Sequence, residues 1–291
     1  MNRPTLIILC GIPGSGKTSY ARDYIPDYPK RAIHLSSDSI RAELYGDESI
    51  QGNPGEVFAL MQKRAVEALN DSYDVLYDAT NITRKDRSSI IGVCPKFARI
   101  ECHIIWAPIE ECIKRDVDRE RTVGKEVIDK MLKRFQAPFF DEGIDEIKIV
   151  KPDRFNGLRY YHDIMNTMNI PHDNHHHTLS VQQHCQEAFE EIECMTTNRA
   201  LLTAAWYHDI GKPYVKEFID SKGNPCDEAH YYQHQCVGAW MSYGFDEVTP
   251  KVAWLISTHM DPFLNTKYYK NLPPYLKNDI DILHKADLEA H

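Results

Sequence analysis

The stretch GIPGSGKT, Gly11 to Thr18, decides how the first half of this chain folds. It fits the pattern GxxxxGK[ST], and it stands between an apolar run, LIILC at residues 6–10, and a predicted helix from about Lys17. Glycines here let the backbone curl with its N–H groups turned inward, and the N-terminus of the following helix favours anions. The stretch therefore predicts a strand, a phosphate-binding loop and a helix in immediate succession.

A loop of this kind holds the phosphates of a nucleotide, so we expect ATP and Mg²⁺ as cofactors. Lys17 is expected to reach the β- and γ-phosphates, and the Thr18 hydroxyl is expected to ligate the magnesium ion. The residues whose backbone forms the cradle are Gly11, Gly14, Ser15 and Gly16. A chance glycine-rich turn is the alternative, which the flanking strand and helix disfavour.

Beyond this loop, strand-like apolar runs alternate with amphipathic helices, an order that predicts a parallel sheet with helices on both faces. Apolar residues recur at helical spacing after Pro54, from Val57 to Leu69. The strand-like runs are TLIILC, RAIHLSS, YDVLYDAT, ARIECHIIW and EIKIVKP. We place an α/β domain at residues 1–152.

After Pro152 the strand-like runs stop and histidines become frequent. The segments with a helical pattern are SVQQHCQEAFEEIECM, NRALLTAAWYHDIG, HQCVGAWMSYGF and PKVAWLISTHM. We therefore predict a second, all-α domain at residues 153–291.

Acidic and basic residues follow the second and third strands of the predicted sheet. Asp38 and Arg41 should stand at its carboxyl edge, where such folds bind ligands. A carboxylate there can accept the proton of an attacking hydroxyl, and an arginine can bind the phosphate of the acceptor. A capped helix, with Ser36 or Ser37 as N-cap and Asp38 in its first turn, is the equal alternative. Asp78 is a candidate to bind the water molecules that ligate the magnesium ion. The alternative is that it only ends a strand.

Arg115 and Arg119 lie four residues apart in CIKRDVDRERTVGKEVIDKM, which places both on one face of a predicted helix. Two arginines in this arrangement can close over ATP as a lid. A solvated, charged helix is the alternative, and the spacing does not decide between the two.

Over roughly residues 3–150 these features resemble the P-loop polynucleotide kinase family. The shared motifs are GxPGxGK[ST], SxDxxR, DATN at 78–81, the two lid arginines and a VI..M...F..P tail. The resemblance implies Asp38 as general base for a 5′-hydroxyl, Arg41 on the 3′-side phosphate of the acceptor, and Arg115 with Arg119 on ATP. Asp116 stands where the family usually has Asn, and Lys125 replaces a common Pro.

The second half carries the pair His208-Asp209 near the end of a helix, followed by Gly211 and Lys212. One imidazole nitrogen and one carboxylate oxygen suit a borderline divalent metal. Together with histidines on either side and a late KADLEA, the segment HDIGKP resembles the HD phosphohydrolase superfamily over about residues 170–290. The resemblance implies a divalent metal such as Mn²⁺, Ni²⁺, Co²⁺, Zn²⁺ or Fe²⁺.

The upstream ligand is either His177 or His184, which lie seven residues apart and about 10 Å along one predicted helix. We choose His184 and place His177 beside the substrate or a second metal. Asp287 closes the predicted ligand set. His234 and His259 fit a second metal or the substrate phosphate, which Lys212 would neutralise. The loop histidines expected at the surface are His172, His175 and His176.

Composition limits the classes of function. The chain has 291 residues and a net charge of −9, which argues against tight, non-specific binding of a nucleic-acid duplex. Such a chain can still act on the ends of a nucleic acid if it has a local basic groove. Its eight cysteines form no CxxC pair, which argues against a disulfide framework and favours a cytoplasmic location. The first apolar run is too short for a signal peptide or a membrane span, so no membrane partner is expected.

A phosphate-transferring half beside a phosphate-removing half suits an enzyme that heals broken strands. Cleaved RNA that carries a 2′,3′-cyclic phosphate and a 5′-hydroxyl needs both ends converted before a ligase can act. We therefore predict 5′-hydroxyl and 3′-phosphate ends of RNA or DNA as substrates, with a ligase acting downstream. The alternatives are a small-molecule nucleoside or nucleotide kinase fused to a nucleotidase, and a regulatory nucleotide-binding module with a degenerate second half.

Overall fold

The computed structural model of this protein describes residues 3–27, 32–119, 122–174 and 179–290. The chain divides into two compact units, the first formed by Met1–Met131 and Pro138–Asp153. The second unit is formed by Arg154–His291 together with the short segment Leu132–Ala137. Each unit is described by itself below.

The first unit is built on five strands, β1 Thr5–Cys10, β2 Ala32–Ser36, β3 Asp74–Asp78, β4 Arg99–Ile105 and β5 Glu146–Val150. They form one sheet in which every pairing is parallel, in the order β2-β3-β1-β4-β5. The central strand β1 is fully buried, as its apolar sequence requires in a sheet covered on both faces. The predicted α/β class is confirmed.

Helices connect these strands, and a 3₁₀ turn at Phe140–Glu142 precedes β5. The helix after Pro54 forms as predicted, because Asn53 caps it and its apolar face, which includes Met61 and Ala65, packs into the core. The helices are α1 Lys17–Asp27, α2 Ser37–Tyr45, α3 Pro54–Asn70, α4 Arg84–Ile91, α5 Ile109–Val117 and α6 Lys125–Leu132.

The prediction that one helix carries both Arg115 and Arg119 is wrong. Helix α5 ends at Val117, and Arg119 lies in the turn beyond it. Asp116 explains the ending, because its buried carboxylate accepts hydrogen bonds from the backbone N–H groups of Val123 and Gly124, at 3.1 and 2.8 Å. These contacts draw the returning chain against the end of α5.

The second unit is helical, as predicted, with one addition. A two-stranded antiparallel hairpin, β6 Glu217–Ile219 and β7 Pro225–His230, follows the short helix at Lys212–Val215. The helices are α7 Gly157–Met168, α8 Val181–Met195, α9 Arg199–Tyr207, α10 Lys212–Val215, α11 His234–Ser242, α12 Pro250–Thr258, α13 Asp261–Leu264, α14 Lys267–Asn271 and α15 Pro274–Glu289. None of the helices in the described part of the chain combines the length and apolarity that a membrane span requires.

The core of the second unit holds its metal-ligand candidates in place. Helix α8 packs against α9, α12 packs against α9 and α11, and α15 packs against α8 and α9. Phe135, from the segment Leu132–Ala137, is fully buried, with its ring edge-on to Trp240 and Tyr243. Ser257 accepts a hydrogen bond from the Ala137 backbone at 3.3 Å, so this segment is an integral part of the unit.

Candidate phosphate-binding loop and metal centre

The loop after β1 has the backbone of an anion cradle. Gly14 and Gly16 adopt φ values of +77° and +106°, which favour glycine. A Cβ on Gly14 would also lie 2.1 Å from the carbonyl oxygen of Cys112, so no larger residue fits there. Gly11 fixes the entry to the loop by donating to the Thr80 carbonyl at 3.0 Å. The cradle is therefore closed to side chains and shaped by backbone.

Three side chains of the loop are placed where they could contact an anionic ligand. The Lys17 ammonium donates to the carbonyl oxygens of Gly11 and Ile12, at 2.8 and 3.0 Å, and curls over the loop. Burial lowers the pKa of Lys17, and the negative charge of Asp78 opposes this. The Ser15 hydroxyl is buried and has no hydrogen-bond partner among the described residues. Thr18 is exposed at the start of α1. These features fit a nucleoside triphosphate with its magnesium ion.

Asp38 and Arg41 lie together in the first turns of α2. Arg41 donates to the Asp38 carboxylate at 2.7 Å, and the Asp38 side chain is half exposed. Ser36 caps the helix by accepting from the Asp38 backbone N–H at 3.2 Å. The capped helix considered above is thus present, and it leaves the two charged side chains paired at the edge of the sheet.

The DATN segment holds the neighbouring strand ends. Asp78 is buried and lies 3.1 Å from His34, whose strand pairs with its own. Asn81 adopts a left-handed conformation, with φ of +47°, and its side-chain amide donates to the Leu9 carbonyl at 2.8 Å. The segment therefore joins β3 to β1 beside the phosphate-binding loop.

The structure brings one of the two predicted lid arginines to the loop. The guanidinium of Arg115 lies 3.5 Å from the carbonyl oxygens of both Gly14 and Ser15, and it pairs with Glu111 at 3.0 Å. Arg119 is exposed beyond the helix end, and its positive charge also acts on Lys17, whose pKa it lowers. Arg115 is therefore the lid arginine that contacts the loop, whereas Arg119 acts on it through its charge.

A buried ion pair behind this edge was not predicted. Arg87 is fully buried and donates two hydrogen bonds of 2.7 Å to Glu142, and a third, of 3.0 Å, to the Asn81 carbonyl. Glu142 raises the pKa of Arg87 against the effect of burial. The hydrogen bond from Arg87 to Asn81 connects this ion pair to the DATN segment and holds the segment in place. The partners of the ion pair lie 55 residues apart, and nothing in the charged segment RKDR distinguishes Arg87 from a surface residue.

In the second unit, four predicted ligands converge. The candidate ligand atoms of His184, His208, Asp209 and Asp287 all lie within 4.8 Å of one another. The Asp287 carboxylate is 2.9 Å from His184 Nε2 and 3.2 Å from His208 Nε2, and the two Nε2 atoms are 3.3 Å apart. We call this group the first cluster.

The outer nitrogens of the two histidines orient the first cluster. His184 Nδ1 bonds the Ala290 carbonyl at 3.1 Å, and His208 Nδ1 bonds the Ala205 carbonyl at 2.7 Å. Because a carbonyl only accepts, each Nδ1 donates its proton to the backbone, and each Nε2 is the nitrogen that faces the carboxylates. Two imidazole nitrogens and two carboxylates that face one point are a donor set that fits a divalent cation.

A second cluster shares one residue with the first. Asp209 Oδ1 lies 3.1 Å from His234 Nε2 and 3.9 Å from His259 Nε2, whereas Oδ2 faces His184 and His208. His234 and His259 also bond backbone carbonyls through Nδ1, at 2.9 and 2.8 Å. Asp209 therefore stands between two groups of nitrogen ligands, in a position to bridge two cations.

Lys212 supplies positive charge to the same carboxylate. Its ammonium lies 2.5 Å from Asp209 Oδ2. Burial alone would raise the pKa of Asp209, but Lys212, His208 and His234 hold it well below its usual value. The bridging carboxylate is therefore ionised and ready to ligate.

The prediction that His172 lies at the surface is wrong. His172 is 1% exposed, and its Nε2 accepts a hydrogen bond from Lys212 at 3.2 Å. Its Nδ1 bonds the Leu179 carbonyl at 2.9 Å, and Tyr231 donates to its backbone carbonyl. Burial and the Lys212 charge lower the pKa of His172 to about 4. The residue is a neutral partner of Lys212 that spacing alone did not reveal.

The other histidines of this loop, among them His177, lie outside the described residues. Helix α8 begins at Val181, with the Ser180 side chain as its N-cap, so the helix predicted to carry both His177 and His184 starts after the first of them. The described cluster contains His184.

Two family models match the chain. The AAA domain model matches residues 6–138, and the HD domain model matches residues 174–287. The predicted order, a P-loop domain followed by an HD domain, is confirmed. The P-loop implies ATP and Mg²⁺, and the HD domain implies a divalent metal, so the two matches indicate an enzyme.

Individual relatives are more distant and cover the chain in part. "L-seryl-tRNA(Sec) kinase" of Methanococcus maripaludis is 26% identical over 46% of this chain and 53% of its own length. "Transcription factor bHLH140" of Arabidopsis thaliana is 26% identical over 51% of this chain and 16% of its own length. The chain thus spans at most about half the length of these curated relatives. A chain of the Pnkp1/Rnl/Hen1 RNA repair complex is 25% identical, with 46% of this chain and 44% of that chain covered and a TM-score of 0.41.

Proposed function

We propose that this chain is a bifunctional end-healing enzyme for nucleic acid, with RNA as the favoured substrate. Its first unit transfers phosphate from ATP to a 5′-hydroxyl, and its second unit hydrolyses a 2′,3′-cyclic phosphate or a 3′-phosphate. The observation that carries the proposal is that one chain holds two candidate phosphate-handling sites. One is a phosphate-binding loop with Asp38 and Arg41 at the acceptor edge, and the other is the double cluster around Asp209.

In the first unit, the loop holds the ATP phosphates and Lys17 neutralises them. Asp38 is half exposed, so its carboxylate can accept the proton of an incoming hydroxyl as general base. Arg41 is held against Asp38 and offers its remaining guanidinium N–H groups to a phosphate of the acceptor. Arg115, beside the loop carbonyls, is placed to pair with ATP.

In the second unit, the first cluster would hold one divalent metal, and Asp209 with His234 and His259 would hold another. Such metals, when bound, lower the pKa of a water molecule that can then attack phosphorus. The chain's own contribution is to orient its histidines through backbone carbonyls and to keep Asp209 ionised. Lys212 is placed to neutralise the phosphate, with His172 as its second partner.

A broken strand is the substrate that needs both reactions. Cleavage that leaves a 2′,3′-cyclic phosphate and a 5′-hydroxyl produces two ends that a ligase does not join, and this chain would convert both. One relative is named L-seryl-tRNA(Sec) kinase, a kinase whose acceptor is carried on a tRNA, and this supports a hydroxyl on RNA as the acceptor.

A second candidate is a small-molecule kinase joined to a nucleotidase. The net charge of −9 favours it, because tight binding of a long polyanion draws on an excess of Lys and Arg. In this case the acceptor would be a nucleoside or nucleotide and not a strand end.

Phosphate transfer from radiolabelled ATP separates the two candidates. We expect label on a 5′-hydroxyl oligoribonucleotide at concentrations where free nucleosides accept little, and in parallel hydrolysis of a 2′,3′-cyclic or 3′-phosphate end in the presence of Mn²⁺ or Ni²⁺. Lys17→Ala should lose only the first activity and Asp209→Ala only the second. Preferential labelling of nucleosides would instead establish the small-molecule reading.

A further inference from the structure

Beyond the second cluster, the chain exposes large aromatic side chains among lysines. Phe263, on α13, is 71% exposed, and Tyr275, at the start of α15, is 70% exposed. Lys267 and Lys270 lie between them on α14, and both are exposed. We call Phe263, Lys267, Lys270 and Tyr275 the aromatic–lysine surface. Exposing two aromatic rings so fully is unfavourable in water, which makes this surface a candidate for an interaction.

Lysines slightly outnumber acidic residues in this region, although the net charge of the protein is −9. Residues 250–281 contain four lysines and three aspartates. Asp279 pairs with Lys251 at 2.6 Å, and Asp281 accepts a hydrogen bond from the Tyr269 hydroxyl. Lys267 and Lys270 are exposed, so both can contact an anionic partner.

The surface is connected to the two clusters through helices α13 and α15. Helix α13 begins two residues after His259, which belongs to the second cluster, and α13 packs against α15. Asp287, of the first cluster, lies twelve residues after Tyr275 on α15, which corresponds to about 18 Å along the helix axis. A nucleic-acid strand whose 3′ end lies in the metal centre would reach this surface with the nucleotides that precede that end.

We propose that the aromatic–lysine surface binds the single-stranded nucleotides that lead to the 3′ end processed in the metal centre. Their bases stack on Phe263 and Tyr275, and their phosphates pair with Lys267 and Lys270. This inference rests on the proposed end-healing function and assigns its strand-binding surface. Stacking on aromatic faces and lysine contacts to phosphates together bind single strands without regard to sequence. They also explain how an acidic protein can hold a polyanion locally.

Fluorescence anisotropy with a labelled single-stranded oligoribonucleotide tests the inference on the full chain. We expect Phe263→Ala and Tyr275→Ala each to weaken binding at least about fivefold, as loss of one stacked base predicts. The combined Lys267→Gln and Lys270→Gln variant should flatten the dependence of affinity on salt by about one phosphate contact per lysine. The matched control is Phe218→Ala on the hairpin, where the side chain is 45% exposed and binding should be unchanged.

Wild-type affinity in both aromatic variants, or an equal loss in the Phe218→Ala control, would overturn the inference. So would a dimer of the wild-type protein that Phe263→Ala dissociates, because the surface would then serve a second copy of the chain. Circular dichroism of each variant verifies that it is folded.

Hydrolysis of bis(p-nitrophenyl) phosphate keeps this inference separate from the proposed function. This small substrate has no strand to hold, so we expect the aromatic variants to hydrolyse it at the wild-type rate while they lose activity on an oligonucleotide end. If all variants process oligonucleotide ends as the wild type does, the surface assignment fails and end healing stands. If the wild type binds the strand through this surface but converts neither end, the proposed function fails and the surface assignment stands.

Discussion

The phosphate-binding loop takes eight consecutive residues, Gly11 to Thr18. The candidate metal centre, which consists of the two clusters, instead draws its side chains from positions between His184 and Asp287. The loop is a backbone site, closed by glycine conformations that no other residue adopts easily. The metal centre is a side-chain site, and each histidine is aimed by a separate backbone carbonyl. A local motif therefore specifies the first site, and only the folded helices assemble the second.

The largest expected effect tests whether the two sites are independent. Asp209→Ala removes the carboxylate that both clusters share, so we expect loss of bound metal and of all end hydrolysis, with 5′-phosphorylation retained. Metal content by mass spectrometry and the two activity assays provide the measurement. Asp227→Ala, an exposed hairpin aspartate in the same unit, is the matched control. A parallel loss of phosphorylation would show that the two sites depend on each other.

The same assay tests the choice of upstream ligand. Loss of His184 leaves the first cluster incomplete, so His184→Ala should resemble Asp209→Ala in both metal content and hydrolysis. We expect His177→Ala to keep its metal and lose rate. The reverse result would transfer the ligand role from His184 to His177.

The next effect separates two roles within the first site. Lys17→Ala should weaken ATP binding and abolish transfer, because the ammonium neutralises the phosphates. Asp38→Ala should bind ATP normally and transfer phosphate about 10²–10⁴-fold more slowly, as expected for loss of a general base. Equilibrium nucleotide binding and single-turnover transfer distinguish the two. Full activity in Asp38→Ala would leave Asp38 only its place in a capped helix.

The sequence predicted features formed by contiguous residues better than contacts between distant residues. The strands were predictable because each is a buried apolar run in a parallel sheet, and the loop because its residues are contiguous. The candidate ligands of the metal centre were predicted from motifs, and the structure brings them together. The burial of His172 was not predicted, since its partner Lys212 lies 40 residues away and no periodicity marks the contact.

Other features were missed for local reasons. The hairpin after α10 is short and β7 is rich in polar residues, so no alternating pattern indicated it. Helix α5 looked longer because charged residues continue past Val117, and only the buried position of Asp116 shows where the chain turns back. A pairing such as Arg87 with Glu142 depends on the tertiary fold, and a sequence shows only two charged residues.

An intermediate effect is expected at Lys212. His172→Ala removes the buried acceptor that holds its ammonium, so we expect end hydrolysis to slow by about 10–100-fold while metal content stays normal. His172→Gln, which restores an acceptor, should recover part of the rate. His162→Ala, an exposed histidine on α7, serves as control. Loss of metal in His172→Ala would make the residue a ligand and not a positioning residue.

The smallest expected effect concerns the stability of the first unit in acid. Glu101 lies 3.0 Å from His103 Nε2 and accepts a hydrogen bond from Lys148 at 2.9 Å; these contacts lower the pKa of Glu101 to about 2. Because this pKa is lower in the folded state, the unfolded chain binds more protons between about pH 4.5 and 2. The stabilisation is therefore complete above that window and is lost as the pH falls through it.

Glu101→Gln removes this linkage. We expect the variant to be less stable than the wild type at pH 6, with a difference that narrows as the pH approaches 3. Hydrogen exchange of the peptide that contains β4, compared between the two proteins at equal pH, measures the effect within the first unit. The peptide that contains α12, in the second unit, should exchange alike in both. A difference that stays constant from pH 6 to 3 would mean that Glu101 acts through packing alone. An effect on the α12 peptide would mean that the two units, so different in how their sites are built, do not unfold separately.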